Sequence, residues 1–148
     1  PDHDPAARED VARRFLARPG HGLDAQEQAA VLAEVLALLG EPLVAAALGP
    51  DSLAEAPLAG RVNGRLIAGQ VDRLLVAPGR VLVLDYKTNR PPPAEVAQVA
   101  PLYLRQMAAY RALLRAAFPG RRVDCALVWT YGARVMALPD DLLDRHAP

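Results

Sequence analysis

Gly69 to Arg90, GQVDRLLVAPGRVLVLDYKTNR, reads as two strands joined by a tight turn. Leu66 to Val76 and Arg80 to Lys87 are rich in Val, Leu and Ile, and Pro78-Gly79 interrupts them. A turn centred on Pro78-Gly79 sets a register that places Asp72 directly across from Asp85. Opposed side chains share a face, with Cβ atoms about 4.5–5.5 Å apart. Two carboxylates that close repel each other, so a positive partner is expected between them, and a divalent cation is the natural one. Alternation puts Lys87 on the face of Asp85 and turns Tyr86 the other way. Two other readings stay open. Two-residue hairpins favour primed turns, so a longer loop or bulge at Pro-Gly would slip the register and flip Asp72. An ordinary surface hairpin would pair Asp72 with Arg73 or another arginine.

Composition adds weight to the first reading. Sixteen of the seventeen basic residues are arginine, and the single lysine is Lys87. Ammonium and guanidinium are not interchangeable where a compact donor must meet a water or a phosphate oxygen. The chain of 148 residues fits one domain with a proper core. Its formal net charge is zero, so any attraction to phosphates must be local. No apolar run approaches the ~20 residues of a membrane span. Cys125 is the only cysteine, which excludes an internal disulfide, a zinc cluster or a four-cysteine iron–sulfur site made by this chain alone. A reducing, cytoplasmic setting is the expectation. The opening Pro-Asp-His-Asp-Pro has neither an initiator methionine nor a signal segment, and it reads as a piece of a longer polypeptide.

The chain in order predicts a helix from Ala6 to Arg18, a second from Ala25 to Leu39 capped by Asp24 and Glu27, and a short third from Pro42 to Leu48. Leu53 to Val62 reads as a strand, and Asn63-Gly64 as a hairpin turn into the next. Pro91-Pro92-Pro93 must end the strand that carries Lys87. A helix from Pro101 to Phe118 offers Leu102, Met107, Tyr110, Leu113 and Leu114 for burial. Strands at Val123 to Thr130 and Arg134 to Leu138 follow, then a helical turn at Asp140 to Arg145. The expected fold class is therefore α/β, with residues 1–50 helical and residues 51–148 built on a sheet.

Gly69-Gln70-Val71-Asp72-Arg73, Leu84-Asp85-Tyr86-Lys87-Thr88-Asn89-Arg90 and Gln106-Met107-Ala108-Ala109-Tyr110 together resemble the RecB-type nucleases of the PD-(D/E)XK superfamily. Within it they resemble the C-terminal nuclease domain of AddA-type helicase-nuclease subunits, whose parents are UvrD/Rep-type helicases. The resemblance implies a restriction-endonuclease-like fold with a central mixed sheet flanked by helices. It implies Mg²⁺-dependent exonuclease cleavage of DNA during double-strand-break repair and recombination, with Mn²⁺ able to substitute. Asp72, Asp85 and Lys87 would be catalytic; Asp72, Asp85 and the backbone carbonyl of Tyr86 would bind metal. Lys87 would orient or help deprotonate the attacking water. Glu55 stands where relatives carry a further acid, and a solvated strand glutamate is an equal reading. Gln106 and Tyr110 lie one helical turn apart and would reach the lysine or the DNA backbone, with Arg73 and Thr88 in support. By composition alone, Tyr110 is core and Gln106 surface. The implied partners are DNA, the rest of the helicase chain and an AddB-like subunit, without a membrane. ATP belongs to the parent, since no G-x-x-x-x-G-K-[ST] loop occurs here.

One departure matters. RecB-type nucleases carry a metal-site histidine on an early helix, and His3, His21 and His146 lack that context. The expected explanation is that this helix precedes Pro1, leaving the isolated fragment with weak metal binding and little activity. The alternatives are a non-catalytic module that holds DNA or a partner subunit, and a stand-alone structure-specific or restriction-type endonuclease.

Overall fold

Two turns set the register of the sheet in the computed structural model, which describes residues 4–148. Strands β1 (Ser52–Val62) and β2 (Arg65–Ala77) are joined at Asn63-Gly64, where both residues have positive φ, 49° and 79°. That is the pattern of a primed hairpin turn. Strand β3 (Arg80–Lys87) follows Pro78-Gly79, with Gly79 at φ 78°, and Ala77 pairs directly with Arg80. No bulge intervenes, and the ladder runs back to Arg73 opposite Leu84. Continued by one step, it sets Asp72 across from Asp85.

The sheet order is β1-β2-β3-β4-β5, with β4 at Arg122–Trp129 and β5 at Arg134–Leu138. Only β3 and β4 are parallel, and a parallel pair needs a crossover. Here it contains a 3-10 turn at Val96–Gln98 and the long helix α4 (Pro101–Ala117). Helices α1 (Pro5–Leu16), α2 (Ala25–Gly40) and α3 (Pro42–Ala47) precede the sheet, and α5 (Asp140–Asp144) closes the chain. Asp24 caps α2 by accepting from the Glu27 amide, and Glu27 returns the bond to the Asp24 amide. The result is the α/β architecture expected from the sequence, a mixed five-stranded sheet flanked by helices.

Both faces of the central strands are covered. Val81, Val83, Val123, Cys125, Leu127 and Trp129 pack under Leu104, Met107 and Leu114 of α4, while Leu82, Leu84, Ala126 and Val128 pack against Val44 and Ala47 of α3. That double burial is why β3 and β4 read as nearly unbroken apolar runs instead of alternating ones. The buried stripe of α4 runs through Leu104, Met107, Ala108, Arg111 and Leu114. Leu102 lies about 200° round the helix from Leu104 and is 66% exposed, contrary to its expected burial. In α2 only Leu32 is buried, and Phe15 and Val35 remain 48% and 39% exposed. Among the described residues no helix is long and apolar enough to cross a membrane.

One irregularity lies beside the acidic pair. Ala54 pairs with Arg73 and Ala56 with Val71, so Glu55 and Asp72 face each other at a break in the β1–β2 ladder. Glu55 has φ 50°, in the left-handed region that non-glycine residues rarely hold. Val71 and Leu74 both join the core under α4 although they are three residues apart, so the alternation of β2 slips by one across Asp72 and Arg73.

Candidate active site

The last residues of β3 form the site because the sheet's two neighbours treat them differently. Lys87 still pairs with β4, its carbonyl accepting from the Thr130 amide at 3.0 Å. On the other side the β2 ladder has stopped, and the side chain of Asp72 replaces it: Oδ2 accepts the Tyr86 amide at 2.6 Å. The N–H and C=O of one strand residue point to the same side. The Tyr86 carbonyl therefore also faces Asp72.

Asp85 is 4% exposed, and the Lys87 ammonium meets its Oδ2 in an ion pair. Burial holds the Asp85 carboxyl above its usual range; Lys87 opposes that by hydrogen bond and charge, and the nearby Asp72 adds to it. Lys87 also donates to Gln106 Oε1 at 3.2 Å, with its Nζ 4.2 Å over the Tyr103 ring. Gln106 donates its amide to the Tyr110 hydroxyl, and that hydroxyl donates to the Gln70 carbonyl, each at 3.2 Å. A continuous chain of hydrogen bonds thus fixes the ammonium to β2 through α4. Tyr110 is buried as expected of a core tyrosine, and Gln106 is half-buried, held inward by Lys87 and Tyr110.

Tyr110 can lie against β2 only because position 69 is glycine. A Cβ there would stand 2.4 Å from the Tyr110 hydroxyl and 2.8 Å from its ring. At its other end Gln70 donates its amide to Glu55 Oε2 at 3.2 Å, so Glu55 joins the network as an exposed carboxylate on a strained backbone. Such strain costs about 1–3 kcal/mol and gathers at functional sites. A cleft of about 460 Å³ opens beside these groups, lined by Lys87, Gln106, Tyr110, Tyr103, Leu102 and Ile67.

Two expected contributors fall elsewhere. Arg73 belongs to the opposite face, where its Nε donates to the Ala47 carbonyl at 2.9 Å and ties α3 to β2. Adjacent residues of a strand face opposite ways, so Arg73 is turned from the face of Asp72. On that face the Tyr86 phenol is raised by burial, against the pull of Arg73. Thr88 is exposed just past the end of β3. Of the histidines, His21 stacks on Phe15 at 4.5 Å between ring centres, His146 follows α5, and His3 lies outside the described residues. Among the described residues no group of three or more His, Cys, Asp and Glu side chains forms a metal cluster. What the strand ends offer is two carboxylates and one backbone carbonyl. These are hard oxygen donors, and one carboxylate is buried beside another with excess negative charge. That donor set suits a cation such as Mg²⁺, which retains several waters and needs few protein ligands.

Reading the sequence did not single out Tyr103, Gln70 or Gly69 individually. Tyr103 precedes Gln106 by three residues on α4, a spacing that signals a shared face. A glycine inside a strand signals a close approach.

A model of the PD-(D/E)XK nuclease superfamily matches residues 2–137. No curated protein matches the sequence. Among solved structures, a candidate exonuclease from Eubacterium rectale aligns with 99% of this chain at 13% identity, with a TM-score of 0.52. This chain spans 63% of the length of that one. SSO0001 aligns with 96% of this chain and 67% of its own at 14% identity, with a TM-score of 0.38.

Proposed function

The chain belongs to the PD-(D/E)XK nuclease superfamily, and from that premise we propose that it is a Mg²⁺-dependent deoxyribonuclease domain that shortens DNA from an end. The observation that carries the reading is Lys87, the chain's only lysine, held between Asp85 and Gln106 at a strand end where Asp72 has replaced a ladder partner. Asp72, Asp85 and the Tyr86 carbonyl would hold the divalent cation, with Glu55 positioned to support it through Gln70. Bound there, the cation would lower the pKa of a water and stabilise the departing oxygen.

The chain's own residues do the rest. Lys87 orients the attacking water and the scissile phosphate with a compact ammonium, and Gln106 fixes its direction. Tyr110 and Gln70 hold Gln106. The cleft above them admits the strand. Residues 51–148 would form the nuclease core and residues 1–50 a helical part leading into it. The ordered triplet of motifs supports an AddA-type place at the C-terminal end of a cytoplasmic helicase-nuclease, with an AddB-like subunit as partner and break repair as the setting.

A second reading is favoured by the lack of a third acidic or imidazole ligand among the described residues: a nuclease-like module that binds DNA without cutting it. Incubation of the chain with Mg²⁺ and end-labelled linear DNA distinguishes the two. Progressive shortening that disappears in Lys87→Ala and in chelator supports cleavage. Equal product from the native chain and Lys87→Ala would sink it.

A further inference from the structure

A second cavity, about 480 Å³, lies immediately beyond the Lys87 cleft, and Tyr103 forms the wall between them. Asn89, Pro92, Gln98, Ala100 and Trp129 contribute to the rest of its lining, and no side chain lining it carries a formal charge. The two cavities therefore differ in kind. The first offers an ammonium; the second offers flat apolar walls and amides. From this we infer that the second cavity is a pocket for an unstacked nucleobase, taking the base next to the phosphate that Lys87 holds.

Three observations fit a heterocycle better than an ion or an aliphatic chain. The Tyr103 ring stands edge-on to Trp129 with centroids 6.1 Å apart, and the proline run supplies a further flat surface. Trp129 is buried and backs the pocket, so the half-buried Tyr103 is the ring that can accept the face of a base. The amides are half used. Asn89 Oδ1 accepts from the Tyr103 hydroxyl at 3.0 Å, and Gln98 Oε1 accepts from the Ala94 and Glu95 amides at 2.9 and 3.3 Å. Asn89 and Gln98 are exposed, which leaves their NH₂ groups open to a ligand, and the buried Trp129 Nε1 has no acceptor among the described residues. A base edge offers ring nitrogens and carbonyl oxygens to such donors. Finally, the wall is already held in place. Arg134, reaching across from β5, donates to the carbonyls of Pro93 and Ala94 at 2.8 and 2.9 Å. Apolar walls around a few placed polar groups in a pre-formed pocket are what small flat ligands select.

The position of the pocket relative to the scissile phosphate rests on the nuclease reading; base binding itself does not. A base can enter only when free of its helix, so the substrate is a single-stranded or frayed end. Fluorescence anisotropy tests this in chelator, where cutting cannot intervene, using labelled oligothymidylate and the same strand with an abasic sugar at its 3′ or 5′ end. Loss of one end base should weaken binding at least about fivefold, the smaller measure of one stacked base. The intact strand should also change the emission of Trp129, the chain's only tryptophan. Ala100→Phe fills the pocket from an exposed position and should erase the difference between strands. Ala94→Leu is a second blocking variant, and circular dichroism reports whether either has lost the fold. Equal affinity for intact and abasic strands, or unchanged Trp129 emission at saturation, overturns the pocket. Discrimination that persists in a chain that cuts no DNA supports the pocket and removes the nuclease reading alone.

Discussion

Asp85 at the end of β3 and Arg111 in the middle of α4 are buried almost equally, 4% and 3% exposed, and lie on the same side of the sheet. Arg111 is answered from outside. Asp140 and Asp144 of α5, themselves 62% and 61% exposed, bind its two terminal nitrogens, and the Asp140 carbonyl takes a further bond. Asp85 is answered from inside, by a lysine that is only 12% exposed, and it has a second carboxylate for a neighbour. The first arrangement neutralises a buried charge with partners that remain hydrated, and its product is a clamp that seats α5 on α4. The second leaves a surplus of negative charge under cover. A sheet built only for stability has no use for that surplus; a site that must attract a cation does.

The sharpest way to break the contrast is to remove the outer partners of Arg111. Asp140→Ala with Asp144→Ala would leave a guanidinium buried without a countercharge, a loss of about 3–5 kcal/mol. Denaturant unfolding measures it. A loss below ~1 kcal/mol would mean that water already reaches Arg111 and that the two sites differ less than their burial implies. Next comes Lys87→Ala. Loss of the positioned ammonium should lower DNA cleavage at least about 100-fold, and the unfolding midpoint should fall as well, since Asp85 stays buried beside Asp72 without the cation that offsets both. A rate within tenfold of native would place the chemistry elsewhere.

Gly69 and Gly60 sharpen the comparison inside a single strand pair. A Cβ at position 60 meets the end of the Leu113 side chain at 2.6 Å, and that side chain can turn away. At position 69 it meets the Tyr110 hydroxyl and ring, which are buried and bonded to the Gln70 carbonyl. Gly69→Ala is therefore expected to cost about 1–3 kcal/mol, the range for overpacking, and to lower cleavage through Gln106 and Lys87. Gly60→Ala should change both much less. Similar losses from the two variants would show that Tyr110 yields as readily as Leu113.

These residues also show what was legible in the sequence. The turns at Asn63-Gly64 and Pro78-Gly79 are local signals, and with β-strand alternation they were enough to bring Asp72 near Asp85 with Lys87 beside it. The paired ladder itself ends at Arg73 and Leu84, and Asp72 bonds the Tyr86 amide. The five strands and the long helix followed from runs and breakers within a few residues of their observed bounds. Three things were not local. Arg73 faces away from Asp72, as strand neighbours do, and what receives it there is the Ala47 carbonyl of α3, which only the packing of that helix supplies. Leu102 turns outward because the buried stripe of α4 is set by Leu104, and both leucines fit a helical pattern. Tyr103 stands beside Lys87 because a crossover returns α4 to the strand end, a tertiary fact. Cys125 was legible as a thiol without a partner, but not its depth: burial pushes it up to about 12. It should resist alkylation in the native chain and react only on unfolding.

The smallest effect carries the most direct test of the surplus charge. Burial raises the Asp85 carboxyl in the folded chain, so above the ordinary carboxylate range the folded state binds more protons there than the unfolded state does. Its contribution to stability is full at low pH and is lost as pH rises through the raised value. Asp85→Asn removes that loss. In chelator the variant should therefore unfold at a higher temperature than native at neutral pH, and the gap should close as pH falls into the usual carboxylate range. Mg²⁺ reverses the order, since an ion that binds only the folded native site stabilises it by mass action, whereas the variant lacks a ligand for it. A variant less stable than native at neutral pH in chelator would mean that Asp85 and Lys87 are held for each other, as Arg111 and its aspartates are. The charge at the end of β3 would then be a second clamp instead of a seat for metal.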